Sequence, residues 1–308
     1  MIEAAKRGVL HAAGYQGAGS ILSASLQRFT ELCRPSFDDA VCEADVTTSG
    51  ESAKSLFASI DSGERQVAYM ASGYLSAQVP ELAVLDLPFS VGDRAAALAA
   101  LDGEAGALLR QAVSQKTGMR VLGFWDNGFR HVTNRLRPIR TPADCAGLVI
   151  RTLDSALYRH SLSALGFKSV TTDVKELQRV VAAHEVDAQE NPLTNFVNFG
   201  LWRHHPFVSL TGHFFGVLLL VCHAKWFDGL PAAKQQAVRH AAREATSSQR
   251  LLAAAEDEKA VAYLASQGVQ ITAAPDIALA EMRQCCAEVI ARASMGLPGR
   301  LVASYLEA

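Results

Sequence analysis

The chain has 308 residues, about twice the usual domain length, with 49% hydrophobic and 19% charged residues. Such a chain supports one large or two medium domains around a core that needs no staples, and disorder is excluded. Lys+Arg 29 against Asp+Glu 31 leaves a net charge of −2 with no long run of either sign, which argues against a nucleic-acid partner.

At the N-terminus, Lys6 and Arg7 precede a mildly apolar stretch that imitates a signal peptide. His11, Tyr15, Gln16 and the glycines interrupt it, so the segment reads instead as a strand over 8–13, a turn and a helix over 20–33. An exported form would carry its leader outside this sequence. Further strands are expected over 41–47, 67–70, 119–125, 148–151 and 217–222, interleaved with helices such as 52–62 and 174–184, which is an α/β pattern. Thr141 before Pro142 predicts a short helix starting there.

Between Pro231 and Gly268 there is no glycine or proline, and Ala, Glu, Lys, Gln and Arg dominate. About 36 helical residues would make a rod of about 54 Å, longer than one domain of this size is wide. Such a helix braces two domains or is broken. The strongly apolar run 214–222 falls well short of the roughly 20 residues a membrane helix needs. Cys33, Cys42, Cys145, Cys222, Cys285 and Cys286 contain no CxxC pair and no zinc-spaced histidine, so no metal is assigned.

The most informative stretch is 124–151, FWDNGFRHVTNRLRPIRTPADCAGLVIR. Arg130 follows Gly128-Phe129 at an expected strand end, and Arg151 closes the strand Gly147-Leu148-Val149-Ile150. Ligands of open α/β sheets sit at strand ends, and a guanidinium there offers a planar fork that grips a carboxylate bidentately. A second cluster, Val186-Asp187-Ala188-Gln189-Glu190-Asn191-Pro192, ends in an asparagine held extended by its proline. Its amide is placed to donate to an anion. No GxSxG, HExxH, strand-linked GxGxxG or GxxxxGK[ST] pattern supplies an enzyme's machinery.

Together with Thr133-Asn134, Arg137-Pro138-Ile139 and Ala164-Leu165-Gly166, these motifs resemble the DctP-type solute-binding proteins of TRAP (tripartite ATP-independent periplasmic) transporters. Ser59-Ile60-Asp61-Ser62-Gly63, Pro80-Glu81-Leu82-Ala83-Val84-Leu85-Asp86-Leu87-Pro88-Phe89 and Trp226-Phe227-Asp228-Gly229-Leu230-Pro231 fit in order, so the resemblance spans about residues 7–270. It implies a two-lobed periplasmic protein, not an enzyme and without cofactor, that closes on a small organic acid and delivers it to the small and large membrane permease subunits. A ligand-sensing domain of the same fold, reporting to a signalling partner, is the alternative. The implied lobes are 1–125 with 213–250 returning, and 126–212 with 251–308 packing on it.

By the same resemblance, Arg151 is the principal carboxylate partner and Asn191 a second contact. Arg130 either touches the ligand or positions Arg151 and braces the backbone. The first lobe would contribute Tyr15 and Gln16, Ser49, and the segment from Ser72 to Tyr74. The family's pocket aromatic is replaced by Val174, so ring stacking is absent or comes from Phe214, Phe215, Trp125 or Phe196. His213 and Phe215 are placed to line the cleft. Glycine is usual where Ala188 stands. The ligand fits a small mono- or dicarboxylate, though a keto, hydroxy, aromatic or sugar acid satisfies the same anchor.

Several residues also have plainer readings. Asp173 and Glu190 neighbour the expected cleft, and Glu190 pairs with a basic or backbone neighbour unless it faces the ligand. His204 and His205 read as solvated turn residues, pointing apart. Cys285 and Cys286 read as packing residues, and Cys33 with Cys42 would close a short disulfide loop in an oxidising compartment.

Overall fold

The structure, a computed structural model, describes residues 8–307; Lys6 and Arg7 lie outside the described residues. The short helix expected after Thr141 starts at Pro142. Ser20 accepts a hydrogen bond from the Leu22 backbone N–H at 3.1 Å and starts the helix Ile21–Cys33. Ser52 and Ser55 form a reciprocal box on Ala53–Ser62, and Asp144 accepts from the Thr141 backbone N–H at 2.8 Å beside the short helix Pro142–Cys145. Asp173 caps Val174–Ala182.

The described strands are β1 (Val9–Ala13), β2 (Asp39–Glu43), β3 (Val67–Ala71), β4 (Met119–Asn134), β5 (Val149–Thr152), β6 (Lys168–Thr171), β7 (Ala188–Pro192), β8 (Phe207–His223) and β9 (Gln270–Thr272). They join one sheet in the order β2-β1-β3-β8-β4-β7-β5-β6, with β9 parallel to β8. Parallel pairs make up its two wings, while β4 and β8 run antiparallel through the centre. These two strands are much longer than expected. The strand read as 119–125 continues to Asn134, and the one read as 217–222 begins at Phe207. Asp126, Asn127, Arg130, Thr211 and His213 broke the apolar pattern that marks a strand, because the sheet interior here is polar. The strand read as 41–47 gives way at Asp45, which caps a 3-10 turn Val46–Ser49.

Among the described residues, buried side chains fall into one large core, two smaller ones and a small cluster of Leu153, Tyr158 and Phe214. The large core takes β1, β3, the first half of β4 and the last half of β8. The smaller ones lie on either side of the β4–β7–β5 region, one built on Ile150 and Leu162, the other on Leu177 and Phe196. The molecule is therefore two-lobed, and β4 and β8 pass from one lobe to the other. The final helix Gly299–Leu306 corrects the expected division, because Leu301 and Tyr305 enter the large core of the first lobe. Ile277, Met282 and Cys286 join the cluster built on Ile150 and Leu162. Helix Gly299–Leu306 crosses back because its i, i+4 apolar pair finds its groove there.

The long helix is unbroken over Ala232–Ser266, 35 residues, and about 52 Å long. Ala241, Ala242 and Ala245 belong to the first core, while Ala260 and Leu264 belong to the second lobe, so it braces both. Between these anchor points it clamps β4. Thr246 accepts from the Trp125 indole N–H at 3.1 Å, and the Arg250 Nε donates to the Phe124 carbonyl at 3.1 Å. Gln249, fully buried, accepts from the Asp126 N–H at 2.8 Å and donates to the Asp126 carbonyl at 2.6 Å. A register shift follows at once, where Asn127 bulges and Gly128 adopts φ 79°. Gly123 lets the helix approach, since a Cβ there would lie 2.4 Å from Thr246 Oγ1.

Gln249→Leu should therefore strand two buried backbone groups and cost about 2–6 kcal/mol, at about 1–3 each. Urea unfolding checks this, and a loss below about 1 kcal/mol would mean that the clamp is dispensable.

Candidate functional site

The site begins with two buried arginines, one on each of two strands of the second lobe. Arg130 on β4 lies opposite Pro192 of β7, so its side chain meets the residues just before that proline. Its Nε and Nη2 fork onto the Glu190 carboxylate, Nη2 to Oε1 at 2.9 Å, and Nη2 also donates to the Glu190 carbonyl at 2.9 Å. Thr152 Oγ1 donates to Glu190 Oε1 at 2.7 Å. Burial alone would raise Glu190, but the Arg130 charge and His213 outweigh it and hold the carboxyl at about 2. Glu190 is thus ionised and already spent on Arg130.

Arg151, on β5, is held differently. Its Nε donates to the Thr172 carbonyl at 3.0 Å, and Nη2 donates to the same oxygen. No carboxylate among the described residues lies within ion-pair distance, and Nη1 makes no hydrogen bond among them. Burial pushes its pKa down, with Tyr74 and Glu190 opposing. Arg151 is 2% exposed, Arg130 3%, Asn191 5% and Glu190 0%. Among the described residues, the one carboxylate in ion-pair contact with either guanidinium is Glu190, on Arg130.

Asn191 is oriented by a relay. Its Oδ1 accepts from Arg130 Nη2 at 3.3 Å and its Nδ2 donates to Gln189 Oε1 at 2.5 Å. Gln189 donates in turn to Thr133 Oγ1 at 2.7 Å, which leaves the threonine proton for His205 Nδ1 at 3.0 Å. His205 is thus no solvated turn residue. It is fully buried, and burial lowers its pKa to about 3, so it stays neutral.

The first lobe adds a tyrosine cluster. Tyr74 lies edge-on to Tyr15, ring centroids 6.3 Å apart, and 5.2 Å from Phe57. Burial raises the Tyr74 hydroxyl to about 12 although Arg151 opposes it, so it remains a hydrogen-bond donor. Across the cleft, Tyr158 carries the Arg130 guanidinium 5.5 Å above its ring and stacks on Phe214 at 4.1 Å. Its hydroxyl donates to Asp86 Oδ1 at 3.1 Å, which ties the second lobe to the first. Leu157 and Val174 also pack from the second lobe against the first core. The lobes are closed on each other.

A cavity of about 870 Å³ has walls that include Tyr74, Ser155, Thr172, Asp173, Lys54 and Leu297; it meets the site at Tyr74 and at Thr172, the partner of Arg151, while Arg130, Arg151 and Asn191 do not line it. Ser155 is buried and its hydroxyl has no hydrogen-bond partner among the described residues.

Of the residues expected from sequence, Arg151, Asn191, Arg130 and Tyr74 come together here. Val174 lies at the lobe contact as the first residue of its helix. His213 is buried behind Glu190, Nε2 to Oε2 3.7 Å, with its Nδ1 bonded to Thr211 at 2.7 Å. Gln16 is buried in the first lobe, where its Oε1 accepts from Ser20 at 2.6 Å. Three expectations need correction. Ser72 is close, but its hydroxyl donates to Asp86 Oδ1 at 2.8 Å and is not free for a ligand. Trp125 points to the long helix, as its bond to Thr246 requires. Phe215 pairs with Phe129 at 5.1 Å, and Arg94, which binds the long helix through Asp257, covers that pair, so Phe214 is the ring on the cleft side.

Phe196 is second-lobe core. Cys33 and Cys42 are free thiols, not a disulfide; Cys33 is buried in the first core and burial raises it to about 12. Of the vicinal pair, Cys286 is packed and Cys285 exposed. Sequence reasoning did not single out Tyr158 or the role of Asp86. Asp86 lay within a quoted motif, while Tyr158 carried no local signal.

Asp86 supplies a pH test. Burial raises its carboxyl to about 7, against the opposing bonds from Ser72 and Tyr158. An unfolded aspartate ionises near 3.9, so between about pH 4 and 7 the folded state holds the extra proton. The stability this confers is complete below about pH 4 and is lost as pH rises through about 7. Asp86→Asn keeps the acceptor and removes the titration. Its unfolding free energy should fall less between pH 4 and 7 than the native protein's, by a few kcal/mol. Parallel pH profiles would contradict the assignment.

Comparison with known proteins agrees with the geometry. The family model "Bacterial extracellular solute-binding protein, family 7" (DctP) matches residues 48–295. The chain is 32% identical over 219 residues to the 2,3-diketo-L-gulonate-binding periplasmic protein YiaO of Escherichia coli, covering 71% of this chain and 66% of that one. It is 35% identical over 211 residues to a solute-binding protein of Verminephrobacter eiseniae, covering 68% and 62%. The matched segments thus span just under two thirds of these relatives' own lengths. In fold it is similar to the sugar acid binding protein DctPAm of Advenella mimigardefordensis, solved in complex with galactonate. The TM-score is 0.90 at 22% identity, covering 97% of this chain and 96% of that chain. The resemblance read from the motifs is borne out, and the chain belongs to the DctP family of bacterial extracellular solute-binding proteins.

Proposed function

We propose that this protein is a periplasmic receptor that captures an organic acid by lobe closure and delivers it to the membrane subunits of a TRAP transporter, without catalysing a reaction. The observation that carries the reading is the charge count: Arg130 and Arg151 are both buried, and the ionised carboxylate within their reach, Glu190, is bound to Arg130. A buried cation without a counter-charge is costly. A ligand carboxylate on Arg151 removes that cost.

In this reading Arg151 Nη1 and the remaining Asn191 amide proton are the direct donors, with the neutral Tyr74 hydroxyl closing from the first lobe. Arg130 acts mainly as the positioning residue. Its fork is filled by Glu190, and it holds Asn191 through Oδ1. The ligand favours the closed state because it gains contacts from both lobes only there.

The distal cavity favours a longer, hydroxylated acid over a short mono- or dicarboxylate. Its walls offer the hydroxyls of Ser52, Ser155, Thr171 and Thr172. Two of the relatives' names point the same way, to 2,3-diketo-L-gulonate and galactonate, while others name C4-dicarboxylates and succinate. For the lobes, 1–125 with 213–250 and 126–212 with 251–296 remain our division, with the last helix reassigned to the first.

A thermal-shift screen of ligand-stripped protein against sugar acids and dicarboxylates tests this reading. An acid at 100 times its dissociation constant should add about 2.7 kcal/mol and raise Tm by roughly 5 °C. Arg151→Ala should abolish the shift. No stabilising acid, or shifts that survive Arg151→Ala, would overturn it.

A further inference from the structure

Behind the sheet, where the long helix lies on β4, two adjoining hollows of about 760 and 500 Å³ form one groove, sharing Arg110, Leu122 and Arg243. The groove has no lining residue in common with the cleft cavity. Its wall on the long helix is made by Arg239, Arg243, Thr246, Arg250 and Ala254, a spacing of three and four that puts them on one helical face. Opposite stand Arg110, from the helix Glu104–Lys116, and Arg120, near the start of β4.

Some of these cations are neutralised. Arg250 binds Asp102 at 2.6 and 2.9 Å, and Arg120 binds Asp228 at 2.8 and 2.7 Å. Arg94, at the far end, is paired with Asp126 and Asp257. Three have no carboxylate partner among the described residues. Arg110 lies over the Phe124 ring at 4.9 Å, and Arg239 over the Phe227 ring at 5.0 Å with one bond to Gln235. Arg243 makes no polar or ring contact among the described residues and is exposed.

The smaller hollow is lined by these three and Arg120, with Gln111 and Ser114 beside them and no acidic residue. The chain as a whole is slightly acidic, at −2, so general basicity does not produce this concentration. Two of the three unpaired forks are held in place on aromatic faces, which lowers the ordering cost of gripping an anion.

We propose that this groove is a second ligand site, for a small oxyanion carrying two or more negative charges, such as phosphate or a polycarboxylate. Three guanidinium groups without a carboxylate partner among the described residues line one concave surface, and their planar forks match the oxygens of such an ion. A monovalent ion would leave most of them unmatched. The Arg110 environment is consistent with this. Burial, with Arg250 adding to it, pushes its pKa down against Asp102, and a bound anion would relieve that cost.

The test uses full-length protein carrying Arg151→Ala, which silences the cleft. Isothermal titration is run with sodium phosphate and with citrate, against sodium chloride at equal ionic strength. Saturable binding of either multivalent ion is expected, weakened at least ten-fold by Arg243→Gln and lost in Arg239→Gln/Arg243→Gln. Both side chains are exposed, so these variants should fold as the parent does. No binding beyond chloride, or affinity unchanged in both variants, would overturn the proposal. The cleft reading stands or falls separately, through the acid screen on protein that retains Arg151.

Discussion

The cleft is organised around an imbalance of buried charge. Glu190 neutralises Arg130 through a forked ion pair, Thr152 and the Glu190 carbonyl complete that pair, and Arg151 is left with one backbone carbonyl for two of its nitrogens. Neither arginine can leave its charge behind, because a guanidinium keeps its proton under all ordinary conditions. In the reading proposed above, the site takes an anion. The first lobe contributes neutral groups, Tyr74 above all, which add hydrogen-bonding capacity without altering the charge count.

Rigid scaffolding holds that imbalance in place. Long strands β4 and β8 carry Arg130, His213 and Phe214 through the centre of the sheet, and the long helix fixes β4 by four hydrogen bonds made by Thr246, Gln249 and Arg250. Just beyond the clamp lie the bulge at Asn127 and the positive φ of Gly128. The Tyr158–Asp86 bond then serves as a contact of the closed state, formed between side chains 72 residues apart.

Arg151, Asn191 and Arg130 were legible in the sequence because each sits in a short motif that also sets its backbone: a strand after Gly147, an extended residue before Pro192, a glycine bulge before Phe129. Glu190 was legible as an acidic neighbour, and the structure selects its pairing role. What failed was phase. Phe214 and Phe215 differ by one residue and hence by one face of β8, and nothing local tells which face holds the cleft. Trp125 was misjudged because β4 does not end there; it runs on for nine residues through polar positions that read as loop. Asp86 with Tyr158, and Thr133 with His205, are pairs made by the fold alone. His205 reads as polar surface until the relay that buries it is seen. The last helix shows the same limit, since a Leu301–Tyr305 pair fits either lobe by pattern.

The central claim is that a ligand's negative charge completes the Arg151 environment. The most direct measurement compares, by calorimetry on the native protein, the acid that stabilises it and the primary amide of that acid. The two have nearly the same shape and differ by one charge. If Arg151 awaits an anion, the amide should bind at least about a hundred-fold more weakly, a difference of roughly 3 kcal/mol. Amide binding within about three-fold of the acid would show that shape and hydroxyl contacts carry recognition, and that the buried imbalance is a structural feature without a role in choosing the ligand.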